Sequence, residues 1–129
     1  MNKTELILAP GTSPRMRKIA ESIPPYDLLK AYRDAVRVFD NTDIVLVVAE
    51  NNVEGFQAFP RGAYIEQAFR RWNDHQRAAH PIAQPAHKKM QMPVDSPAFW
   101  LVVEMPESGE AGFCAIGAYL HTTEVAAAS

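Results

Sequence analysis

Residues 44–49, Ile44-Val45-Leu46-Val47-Val48-Ala49, decide how this chain folds. The run is too short for a helix, is rich in β-branched residues and has no polar position, so it reads as a buried strand. Asn51-Asn52 follows and can adopt the positive φ angles of a tight hairpin turn. Residues 53–59 then return as a partner strand, weakened by Gly55. Beyond it, Pro60 and Gly62 open a helix with Tyr64, Ile65, Ala68, Phe69, Trp72 and Ala79 on or beside its core face. On its outer face Glu66, Arg70, Asp74 and Arg77 alternate in sign, as in a solvated ion-pair ladder.

On the N-terminal side of the run, Leu28, Tyr32, Val36 and Phe39 form the stripe of a helix begun at Pro24-Pro25. Asp27 is favourably placed in its first turn, and Asn41 marks its stop. An earlier helix repeats Met16, Ile19, Ala20 and Ile23 behind Ser13-Pro14, an N-cap and first-turn pair. Leu6-Ile7-Leu8, ended by Ala9-Pro10-Gly11, is a short first strand. Residues 99–105 and 113–122 are the last two strands, joined by a polar loop with Ser108-Gly109.

The predicted order is therefore β-α-α-β-β-α-β-β. It defines an α+β domain with an antiparallel sheet of about five strands and helices packed on one face. Setting aside the proline break and the last strand, the order is that of the ferredoxin-like arrangement. One domain spans residues 1–129, long enough to bury roughly two-thirds of its unfolded surface. Within it, residues 80–97 carry Pro81, Pro85, Pro93 and Pro97 without periodicity, and irregular segments this long are more often functional or mobile than neutral.

Charge is segregated along the chain. All 13 Lys and Arg residues lie in residues 3–37 and 61–89, whereas 41–60 and 90–129 hold carboxylates and no cation. The helices are thus mostly basic and the strands mostly acidic, beneath a net charge of −2. Such a field steers charged partners even when the total is near zero. The first stretch supplies Arg15, Arg17 and Lys18; the second supplies Arg70, Arg71, Lys88 and Lys89 as a basic patch, part of it neutralised by the ladder. The one cysteine, Cys114, precludes an internal disulfide. The apolar start is far shorter than a signal peptide, and the longest uncharged run, 111–123, falls below a membrane span. A cytoplasmic protein is the expectation.

No catalytic or metal-binding constellation emerges. His75 and His80 miss the i, i+4 spacing of helical ligands, and neither HExxH nor a Cys pair occurs. Cys114 reads as a small buried hydrophobe, because its own segment offers no base or cation to lower its pKa. No cofactor is expected. Pro10-Gly11-Thr12-Ser13-Pro14 leads into a helix start beside Arg15, Arg17 and Lys18, where an anion would be favoured, but Pro14 removes one binding amide. Arg61-Gly62-Ala63 resembles the acyl-CoA-binding turn of GNAT-type acetyltransferases over about ten residues, without that family's fuller glycine pattern. The resemblance implies an acyl-CoA-dependent transferase as one alternative. Residues 54–59 fall where an RNA-recognition motif carries stacking aromatics, but Glu54 replaces the cation and the later strands hold no Lys or Arg.

The last two strands are apolar on both faces. If helices cover one side, Phe99, Trp100 and Tyr119 supply an exposed apolar patch, of the kind that marks an interface. The alternative is that the proline-rich segment folds over that face. The sequence is thus read as a small non-enzymatic binding protein working through protein–protein contact or self-association, a regulator or inhibitor of a larger assembly. A nucleic-acid-binding regulator with a basic helical face is the other alternative; no membrane or metal partner is expected.

Overall fold

A computed structural model describes residues 2–70, 81–90, 92, 96–104 and 113–124. Its elements are β1 (Asn2–Leu8), α1 (Pro14–Glu21), α2 (Pro25–Phe39), β2 (Ile44–Ala49), β3 (Asn52–Pro60), α3 (Arg61–Phe69), 3-10 turns at Pro81–Ala83 and Ala86–Lys89, β4 (Ala98–Glu104) and β5 (Phe113–Glu124). The class is α+β, with five strands in the order β1-β5-β4-β2-β3.

Local chemistry sets the boundaries. The Ser13 hydroxyl accepts the Met16 N–H at 3.2 Å, and Pro14 occupies the first helical position of α1. α2 also begins at a proline and leaves through Asp40, whose φ of 48° is the left-handed exit that Asp and Asn tolerate better than other side chains. Asn41 stabilises the turn that follows by accepting the Asp43 N–H at 2.9 Å. Phe39, expected in the buried stripe of α2, lies in its last turn and is 42% exposed; Leu29 and Ala35 are buried instead.

The sheet is mixed rather than purely antiparallel. β2 pairs antiparallel with β3, and β4 with β5, but β2 and β4 run parallel from Ile44↔Phe99 to Ala49↔Glu104. The hairpin returns β3 to the start of β2, so the chain crosses α3 and the 3-10 turns before β4 runs in the direction of β2. The helices also divide between the faces, which departs from the one-sided, ferredoxin-like expectation. On one face Ile44, Leu46, Val48, Phe99, Leu101 and Val103 pack against α1 and α2. On the other, Val45, Val47, Trp100 and Val102 meet Tyr64 and Ala68 of α3 with Ile82 and Ala86 of the 3-10 turns. Alternate strand residues point to opposite faces, so two such layers need two apolar strands without a polar position. β2 supplies one, and β4 as far as its terminal Glu104 supplies the other.

Each layer is pinned to an end of β2 by an ion pair. Arg15 of α1 reaches Glu50, just past β2, at 2.6 Å. Arg61, the first residue of α3, reaches Asp43, just before β2, at 2.7 Å, and its other nitrogen approaches the carbonyls of Ala83 at 3.1 Å and Ile82 at 3.4 Å. The acidic strand ends and basic helices seen as separate blocks in the sequence meet here.

Candidate interaction surface

The residues expected to form an apolar patch separate in the fold. Phe99 (1% exposed) is in the core beneath α1 and α2, where its ring lies 6.0 Å from that of Tyr32. Trp100 (2% exposed) is in the opposite core and donates its indole N–H to the Gln84 carbonyl. This corrects the exposed placement of both: the described part of the proline-rich segment folds over the second face and buries it. Tyr119 is only half-buried, in a cross-strand row between Ile7 and Ala98. Alternation along β5 puts it on the α3 side of the sheet.

The basic residues are divided by the sheet as well. Arg15, Arg17 and Lys18 are exposed on α1, while Arg70 and Lys88 are exposed in the opposite layer. The Lys89 side chain and all of Arg71 lie outside the described residues, as do His75, His80, Trp72 and the Asp74–Arg77 part of the ladder. Arg15 is occupied by Glu50, which raises its pKa by hydrogen bonding and charge. Of the expected anion site, Ser13 caps its own helix and the Thr12 hydroxyl donates to Ala9 O at 2.6 Å. At the turn resembling an acyl-CoA site, Arg61 is held by Asp43. Phe56 packs on the first core and Phe59 stacks on Tyr64 with centroids 6.1 Å apart, so neither presents an open face for a base.

Cys114 is exposed, against the expectation of a buried small side chain. It stands near the first residue of β5, and alternation along the strand puts it on the side of the sheet that packs against α1 and α2.

Sequence reasoning missed the free edge of β1. Ala9 N–H donates to Gly117 O at 2.9 Å and Leu120 N–H to Pro97 O at 3.0 Å. Odd residues of β5 therefore bond toward β1 and even ones toward β4. By the register Leu8↔Ala118, odd residues of β1 bond inward, and the N–H and C=O groups of Thr4 and Leu6 point out of the sheet. Among the described residues no strand pairs with that side. A groove of about 410 Å³ runs beside it, lined by Lys3 through Ile7 and, from the α1–α2 corner, Ala20, Glu21, Ile23 and Pro25. The opposite edge, β3, is less suited to receive a strand. Its pairing to β2 shifts register between Val47 and Ala49, the Asn52 side chain folds over Gly55, and it ends in Pro60.

Among the described residues no group of three or more His, Cys, Asp or Glu is placed to hold a metal ion, and no helix is long and apolar enough to cross a membrane. No protein-family model matches the chain, and neither a curated protein nor a solved structure shows significant similarity to it.

Proposed function

We propose that this is a non-enzymatic binding protein of the cytoplasm that acts through protein–protein contact, as a regulator or inhibitor of a larger assembly, by accepting an extended strand along β1. The observation that carries this reading is the outward-pointing backbone of Thr4 and Leu6 beside a preformed groove. In strand addition, main-chain hydrogen bonds supply affinity and pockets for alternate side chains supply specificity. Ile23 and Pro25 give one set of incoming side chains an apolar wall, and the half-buried Ile7 and Tyr119 lie under the other.

Thr4→Pro tests it. Proline removes an outward N–H and leaves the inward ladder to β5 intact, at the loss of the 3.0 Å Thr4–Thr122 hydroxyl bond. A partner identified from the source cell should lose at least tenfold in affinity to this variant with little change in melting temperature. Undiminished binding would place the contact elsewhere.

A second reading, a nucleic-acid-binding regulator, has its own observation. Tyr26, Lys30, Arg33 and Arg37 recur at helical spacing and are all exposed on α2, with Tyr26 at 70%. Binding to mixed DNA and RNA over a salt series tests it; no affinity at low salt ends it.

A further inference from the structure

The free edge of β1 is complementary to itself, and we propose that its occupant is a second copy of this chain, paired β1 to β1 antiparallel about a two-fold axis through Thr4. This rests on the strand-accepting reading and adds the identity and register of the partner. The outward groups belong to even-numbered residues, so an antiparallel copy must align even with even.

Charge chooses among the registers that do so. Centred on Glu5, the pairing sets Glu5 against Glu5 of the second copy and Lys3 against Ile7. Centred on Leu6, it sets Glu5 against Ile7 and leaves Lys3 without a counterpart. Centred on Thr4, it sets Lys3 against Glu5 of the second copy and Glu5 against its Lys3, while Asn2 meets Leu6 at both ends. Lys3 and Glu5 already lie on one face, 3.1 Å apart within a chain. The Thr4-centred register therefore places four alternating charges across the axis, at the closely spaced, non-hydrogen-bonded positions of the ladder. A two-fold axis normal to the sheet keeps like faces together, so the second copy's Thr4 and Leu6 enter on the side of the groove walled by Ile23 and Pro25. About six new backbone hydrogen bonds form, and two five-stranded sheets become one. A single strand pairing is a small contact beside the roughly 800 Å² per partner of a stable interface, so the dimer is weak.

Sedimentation of the full chain from 10 μM to 1 mM reads this out. Lys3→Glu and Glu5→Lys should each weaken association about tenfold, because each substitution makes two pairs repulsive. The double variant K3E/E5K should return to within about threefold of the original chain. An equimolar mixture of the two single variants should associate more tightly than either alone, since each then meets its opposite. A chain that stays monomeric at 1 mM, or a dimer indifferent to both single swaps, overturns the self-pairing. If the chain stays monomeric while Thr4→Pro still abolishes capture of a different protein, only the identity of the occupant fails. If neither a second copy nor any other strand depends on Thr4, the strand-accepting reading fails with it.

Discussion

Replacing Arg61 by methionine removes the hub that joins α3, β2 and the first 3-10 turn. Its guanidinium donates to Asp43 at 2.7 Å and approaches the carbonyls of Ala83 and Ile82 at 3.1 and 3.4 Å. The side chain is only 19% exposed and that of Asp43 35%, so the pair is shielded more than an ordinary surface salt bridge. A hydrogen bond to a charged group contributes about 1.5–3 kcal/mol net, and the carbonyl contacts are weaker. Water reaches Asp43 once the arginine is gone, which limits the desolvation penalty left behind. Arg61→Met should therefore cost about 2–3 kcal/mol, a fall in Tm of roughly 8–12 °C for a domain of this length. Chemical denaturation of Arg61→Met, Asp43→Ala and the double variant forms a double-mutant cycle, with a coupling of about 1–2 kcal/mol expected. Residues 81–89 should also become cleavable by limited proteolysis in Arg61→Met, because their carbonyl tether is cut. A coupling below about 0.3 kcal/mol, with proteolysis unchanged, would refute the idea that this arginine fastens the layer.

Three further outcomes follow from other positions. Tyr32 has its pKa raised from 10.0, first by burial and then by the charge of Asp43. The folded state then holds this proton more tightly than the unfolded chain, so the stability it contributes is full below pH 10 and declines as pH rises through the folded pKa. Denaturation midpoints measured from pH 9 upward should fall less steeply in Tyr32→Phe. Gly117 has room for little else: an added Cβ would lie 3.2 Å from the Met90 sulfur and 3.5 Å from the Trp100 ring. Gly117→Ala should cost under about 1 kcal/mol because the thioether can move, whereas Gly117→Val should cost about 2–3 kcal/mol by urea unfolding. Cys114 should react fully with a thiol reagent in the native protein, and Cys114→Ser should change stability by less than about 0.5 kcal/mol.

Much of the architecture was legible in the chain. The unbroken apolar runs of β2 and β4 announced strands, and their lack of polar alternation was itself the mark of burial on both faces. The expectation of helices on one side passed over that mark. Parallel pairing of β2 with β4 had no such signal, since a fully apolar strand carries nothing that fixes its neighbour or direction. The Asp43–Arg61 pair could have been found: a hairpin registered Ile44↔Pro60 sets the residues flanking it side by side. The edge of β1 could not, because which side of a strand stays unpaired depends on strand order. Tyr119 kept partial exposure where Phe99 and Trp100 did not: it pairs with Ala98, the first residue of β4, at the end of that strand.

The two ion pairs at the ends of β2 bear on how the molecule comes apart. Arg15–Glu50 and Arg61–Asp43 sit at opposite ends of β2, and each joins it to a layer with its own hydrophobic cluster. Peeling either layer away exposes a carboxylate that water can solvate at once, so no charge is stranded. The shared strands β2 and β4 stay paired to each other throughout. Partial opening is thus permitted from either side independently, and hydrogen exchange should resolve two separately cooperative units around one slow-exchanging pair of strands.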